Sequence, residues 1–178
     1  MAVINFKSVI MGGMVWLVAA GLTGCGLTQT LSDSTAAVTE SLFYKQVKTL
    51  HLDFNARSAL NTNSAQIPLS TVVRVYQLKD NKAFEQASYA ELLKGDSEAL
   101  KADWLAQRDI RVAPQGSVAL DMPMEKAARF VAVVGLFHTP DAAHNHWRLV
   151  IKRDELDADK PRPIELGNGT LTLNSLNE

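Results

Sequence analysis

From Lys48 onward, hydrophobic and polar residues alternate with a period of two. Leu50, Leu52 and Phe54 interleave with His51 and Asp53, which predicts a strand with one face buried and one in water. The Val-rich segment 71–78, carrying Arg74 and Tyr76, predicts a second strand, and the charged turn Lys79-Asp80-Asn81-Lys82 ends it. Ser88 and Glu91 have the spacing of a capping box, so a short helix follows and stops at Gly95; Asp96 or Ser97 caps another through Leu100. Strands return over residues 109–113 and 117–122, with Pro114 and Gly116 in the turn between them. The nearly continuous apolar run 130–137 predicts a strand at the centre of a sheet, with 147–151 as its neighbour. Segments 163–166 and 170–176 flank Gly167-Asn168-Gly169, a hairpin turn whose residues accept positive φ. About eight short strands with few helices predict a mainly β fold, a two-sheet antiparallel β-sandwich.

The N-terminal pattern is different. A short segment with Lys7 precedes an apolar run from Val9 to Ala20 that no acidic residue interrupts. Spanning a bilayer takes about 20 predominantly apolar residues, so this run reads as the core of a signal peptide rather than a membrane span. Leu22-Thr23-Gly24-Cys25 looks like a lipobox: small residues admit the peptidase, and the Cys25 sulfur takes up the diacylglyceryl group. The expected organisation is a signal peptide over 1–24, a lipidated, flexible tether over 25–32, and a domain over 33–178. That domain opens with a helix capped by Asp33 or Ser34 and running to about Tyr44, since Leu31, Val38 and Leu42 recur near helical spacing. Gly26 follows the cysteine where an Asp would signal retention in the inner membrane, which points to the outer membrane.

Composition narrows the function. Cys25 is the one cysteine of 178 residues, so neither an internal disulfide nor a cysteine-based metal cluster is expected. The formal charge of −1, and the lack of basic patches, argue against a nucleic-acid partner. Serine is plentiful, yet no Gly-x-Ser-x-Gly elbow or ordered Ser, His and acid set is present, so no catalytic residue and no cofactor are expected. The run Lys152-Arg153-Asp154-Glu155 with Asp157, Asp159 and Lys160 reads as a solvated loop, and Tyr76, Trp104 and Trp147 as packing residues.

Two segments offer chemistry. The loop between the first two strands, residues 55–69, is long for a sheet connection, and such loops are usually either functional or disordered. Arg57 supplies a planar donor fork, Asn61, Asn63 and Gln66 give and accept hydrogen bonds, and Leu60, Ile67 and Pro68 offer apolar surface; Ser58 and Thr62 complete the candidate partner-binding set. The second segment holds His138, His144 and His146 with Asp141, a set able to gather zinc or nickel. A hairpin loop rich in Asp, Asn and His is also ordinary turn chemistry, and on that reading no metal is assigned. A lipid-anchored enzyme or metal-binding protein using these histidines is the rival function.

The order of these features resembles the outer-membrane lipoprotein of type VI secretion systems, the TssJ family. The resemblance rests on the lipobox, Leu60-Asn61, the run from Pro68-Leu69-Ser70 through Arg74-Val75-Tyr76-Gln77-Leu78, Phe84 with Tyr89, Leu92 and Leu93, Val112-Ala113-Pro114, and Phe130-Val131-Ala132-Val133-Val134 with Trp147-Arg148. It covers nearly the whole chain after the lipobox. It implies a transthyretin-like sandwich, anchored by lipid in the outer membrane and facing the periplasm. The implied partner is the periplasmic domain of TssM, and through it the TssL, TssM and TssJ membrane complex, with the first loop making part of the contact. Where many members carry Pro-Asp and Gly-Arg-Pro in that loop, this chain has Thr62-Asn63 and Ala65-Gln66-Ile67-Pro68, a loop fitted to its own partner.

Overall fold

The computed structural model describes residues 46–95 and 97–175. The expected signal peptide, Cys25, the tether, the helix over 33–44 and the cap at Asp96 lie outside the described residues. Eight strands are described, in two sheets of four. The first sheet has the order β4-β1-β7-β8, built from β1 (Thr49–Ala56), β4 (Ser117–Pro123), β7 (Arg162–Leu166) and β8 (Leu171–Leu173). The second has the order β3-β2-β5-β6, built from β2 (Thr71–Leu78), β3 (Trp104–Val112), β5 (Phe130–Leu136) and β6 (Arg148–Lys152). The expected mainly β sandwich is what the chain forms.

Leu50, Leu52 and Phe54 of β1, Ile164 and Leu166 of β7, Val73 and Val75 of β2, and Val131 and Val133 of β5 are all buried in one core cluster between the sheets. On β1 the intervening residues are only half-buried or exposed, so that sheet shows its other face to solvent. β2 and β5 are buried along almost their whole length, because a second layer covers their outer face. That layer is α1 (Lys82–Gln86), α2 (Tyr89–Lys94) and a 3-10 turn over Glu98–Leu100, which bury Phe84, Leu92 and Leu100. The capping box of α2 forms as expected: the Ser88 hydroxyl accepts from the Glu91 amide, and the Glu91 carboxylate accepts from the Ser88 amide. Gly95 closes the helix at φ +88°, a left-handed conformation that disfavours a side chain.

The segment Arg74–Leu78, the most specific part of the resemblance, turns out to join the layers. Arg74 donates through Nε and Nη2 to the two carboxylate oxygens of Asp109 on β3, at 2.9 and 2.8 Å, and through Nη1 to the Leu92 carbonyl of α2 at 2.9 Å. These bonds hold the Asp109 carboxyl below the usual carboxylate range and push the Arg74 guanidinium up. Tyr76 packs edge-on against Phe84 and Trp104. Gln77 faces the other sheet, where it donates to the Pro123 carbonyl and accepts from the Glu125 amide.

Several expectations need correction. The sandwich is not wholly antiparallel, since β1 and β7 pair in parallel; these strands lie far apart in sequence, so no tight turn constrains their direction. β3 begins at Trp104 rather than near Asp109, because pairing with β2 extends past a bulge at Gln77 and Leu78 to Trp104. α1 was not foreseen; its single turn has too few apolar positions to show a period. It forms because Phe84 is buried and because Arg148 of β6 donates to the carbonyls of Phe84, Glu85 and Ala87 at its C-terminal end. Arg153, read as part of a solvated loop, donates to the carbonyls of Glu125, Ala128 and Val47 and ties the start of the described chain to the strands. β8 ends at Leu173, shorter than expected.

Candidate functional site

The first loop is folded back on itself by its own amides. The Asn63 carboxamide oxygen accepts from the amides of Ala65 and Ile67, each at 3.0 Å, and the Asn63 amide donates to the Ile67 carbonyl. Asn61 and Gln66 adopt positive φ, +48° and +60°, which turns the chain at both ends of this small arch. The arch is also bound to two other connections. Asn61 Oδ1 accepts from the His138 amide at 2.6 Å, while its Nδ2 donates to the Ser70 carbonyl at 3.2 Å. The Thr62 amide donates to Asn168 Oδ1 at 3.0 Å, and the Asp141 amide donates to the Gly169 carbonyl at 3.1 Å. Gly169 sits at φ +80°, and a Cβ there would meet the Thr139 carbonyl oxygen at 2.4 Å, so only glycine lets the β7–β8 turn approach this closely.

Three connections therefore meet at one end of the sandwich: the first loop, the β5–β6 loop and the β7–β8 turn. Between them lies a groove of about 430 Å³, walled by Thr62, Asn63 and Gln66 on one side and by His138, Asp141 and Asn168 on the other. Beside it Ile67, 55% exposed, and Leu69, 38% exposed, form an apolar ridge with exposed Pro68. This end of the sandwich thus exposes polar and apolar surface side by side, the two kinds of surface that protein interfaces combine.

The structure divides the candidate residues among four places. Thr62, Asn63 and Gln66 line the groove, and Ile67 and Pro68 stand on the ridge. Arg57 and the exposed Ser58 lie outside the groove, where Arg57 Nε pairs with Glu165 Oε1 at 2.6 Å. Leu60, expected to offer apolar surface, is instead fully buried, and Asn61 is buried at 6% exposure; both hold the loop from beneath. The sequence reading missed Thr139, Pro140 and Asn168 as groove residues. Asn168 was legible as a turn former, but nothing local told that its carboxamide would reach the first loop.

Asn61→Ala is expected to destabilise the domain by about 2–3 kcal/mol, because it strands the His138 N–H and Ser70 C=O and puts alanine, which tolerates the left-handed conformation less well than asparagine, at positive φ. Asn61→Gly relieves the backbone strain and should cost less. Urea denaturation of the two variants beside wild type measures both terms.

The histidine set resolves differently. Asp141, His144 and His146 converge, with their potential ligand atoms all within 4.8 Å of one another, while His138 stands apart from them on the groove wall. Asn145, at φ +56°, turns the chain between the two histidines, whose rings stack at 5.3 Å and 20°. Burial works against the Asp141 carboxylate. The hydrogen bonds from the His144 amide and ring, and the charges of both imidazoles, outweigh it and hold the group below the usual carboxylate range. No helix among the described residues is long and apolar enough to cross a membrane.

Residues 48–169 match the protein family described as T6SS-SciN, type VI secretion lipoprotein (VasD, EvfM, TssJ). The chain belongs to the type VI secretion lipoprotein family. Solved structures agree. A chain in the structure of the type VI secretion protein TssM C-terminal domain (869–1107) from EAEC is 51% identical at TM-score 0.67, over 72% of this chain and 99% of that one. A chain of a type VI membrane complex is 54% identical at TM-score 0.70, over 73% of this chain and 100% of that one. The type VI secretion lipoprotein TssJ1 from Pseudomonas aeruginosa, at 20% identity and TM-score 0.59, shares the fold over 72% of this chain and 97% of its own. Among curated proteins none matches the chain.

Proposed function

We propose that this lipoprotein is the outer-membrane anchor of a type VI secretion membrane complex: lipid on Cys25 holds it to the bilayer, and the three-loop end of the sandwich grips the periplasmic domain of TssM. The role is structural, without catalysis. The observation that carries the reading is the match, above 50% identity, to chains in structures of the TssM C-terminal domain and of a type VI membrane complex. A chain matched almost whole by 72% of 178 residues is far shorter than the fragment 869–1107, so it accompanies the TssM domain in that structure. The groove and the Ile67 ridge are the surface we assign to this contact.

The test is titration of the purified TssM domain against surface variants of the lipoprotein. Ile67→Asp puts a charge where an apolar contact would be desolvated, and is expected to weaken binding by about tenfold to a hundredfold. Asn63→Ala disrupts the arch and so tests shape, whereas Gln66→Ala removes an exposed polar contact and should cost less. Because Ile67 is more than half exposed, thermal melting of Ile67→Asp should stay near wild type. Unchanged affinity in both Ile67→Asp and Gln66→Ala would place the contact elsewhere on the domain.

A further inference from the structure

We propose that Asp141, His144 and His146 form a binding site for one zinc ion, placed at the rim of the groove. Two imidazoles and one carboxylate are a ligand set that zinc accepts, with a fourth position left to water or another ligand. In this structure the Nδ1 atoms of His144 and His146 stand 3.1 and 3.0 Å from the same oxygen, Asp141 Oδ2. Ligand atoms of a tetrahedral zinc site with bonds of about 2.0–2.1 Å are about 3.3–3.4 Å apart. The two edges from the carboxylate to the imidazoles are thus already close to the required length, and all three donors lie within 4.8 Å of one another, so adjustment of the two exposed rings closes the site around an ion.

The chemistry of the trio supports this use. Without an ion, Asp141 Oδ2 stands within 3.1 Å of both imidazole Nδ1 atoms; an ion placed among the three takes a lone pair from each donor, and each neutral imidazole then carries its proton on Nε2. The carboxylate is the most sheltered of the three, 24% exposed, and its Oδ1 also accepts from the His144 amide at 3.3 Å, which orients it as a supporting contact orients a metal ligand. The rings are open to solvent, 69% and 59% exposed, so an ion can reach them without opening the fold. The backbone on either side is pinned to the β7–β8 turn: the Asp141 amide donates to the Gly169 carbonyl, and the Leu171 amide donates to the His146 carbonyl at 2.6 Å. A bound ion therefore stiffens the β5–β6 loop at the place where it walls the groove. The assignment rests on the ligand geometry and is independent of which partner occupies that groove.

The experiment uses the full chain, without a polyhistidine tag, in detergent micelles after dialysis against a chelator. Zinc chloride is titrated in a calorimeter, and thermal melts are recorded with and without it. Wild type is expected to take up one equivalent with a dissociation constant in the micromolar range and to melt higher with zinc. His144→Ala and His146→Ala should each weaken uptake by at least about tenfold and lose the thermal shift, while His138→Ala should retain both. Asp141→Asn, which keeps an acceptor for the His144 amide, should also bind more weakly. Cobalt in place of zinc should give the intense visible absorption of a tetrahedral site in wild type and His138→Ala, and not in His144→Ala or His146→Ala. Wild type that takes up no zinc, or His144→Ala and His146→Ala variants that bind as wild type does, would overturn the site. So would loss of uptake in His138→Ala.

Discussion

Cys25→Ser is expected to remove the protein from the outer-membrane fraction and to reduce type VI secretion to background. The thioether linkage of the proposed anchor requires sulfur, so serine would leave the polypeptide without a diacylglyceryl group, and a peptidase that recognises the modified residue would have no substrate. The variant is then found with its leader attached at the inner membrane, or free in the periplasm. Each buried methylene contributes about 0.8 kcal/mol, so several acyl chains make attachment effectively permanent and their loss is an all-or-none effect. The sandwich itself should fold normally, because the core among the described residues runs from Val47 to Leu171. Density-gradient fractionation, mass spectrometry of the N-terminus and a secretion assay check the three parts. A serine variant that stays in the outer membrane and secretes would remove the anchoring role.

The second large effect is expected from Arg74→Met. Removing the guanidinium leaves the Leu92 carbonyl without its 2.9 Å donor and the Asp109 carboxylate without its bidentate partner. Breaking a fully buried pair costs about 3–5 kcal/mol; Asp109 is 38% exposed and regains some solvent, so about 2–4 kcal/mol is expected. That corresponds to a fall of about 10 °C in melting temperature. The pH dependence follows from the direction of the Asp109 shift. The native carboxyl lies below the unfolded value of about 3.9, so its contribution to stability is present above that pH and is lost as pH falls through the native value. Wild type should therefore lose stability below about pH 4 more steeply than Asp109→Asn, which cannot titrate there. Urea midpoints at neutral pH and at about pH 3 measure both effects. Equal acid sensitivity in the two proteins would show that the pair carries little of the native stability.

The same residues mark how far the sequence could be read. Alternation over Leu50, Leu52 and Phe54 announced a half-buried strand, and the apolar run from Phe130 announced one covered on both faces; each pattern is a direct record of which side chains leave water. The capping box at Ser88 and Glu91, the closure at Gly95 and the turn at Gly167-Asn168-Gly169 were legible because their hydrogen bonds and dihedral angles involve near neighbours in the chain. The resemblance carried by Arg74 to Leu78 pointed to the family, but not to the reason for the segment: Arg74 joins the helices to β2, and Gln77 joins the first sheet to it. Arg153 looked solvated for the same reason, since the carbonyls it holds belong to residues 25 or more positions away.

What the chain order alone determined, then, is the local periods, the caps and turns, and the mainly β class that follows from many short strands. The tertiary structure decided the parallel pairing of β1 with β7, the inward turn of Leu60, the meeting of three connections around one groove, and the convergence of His144 and His146 on Asp141 without His138. These depend on which strands become neighbours and how their ends align, a competition among contacts distant in sequence that no local pattern of polarity encodes.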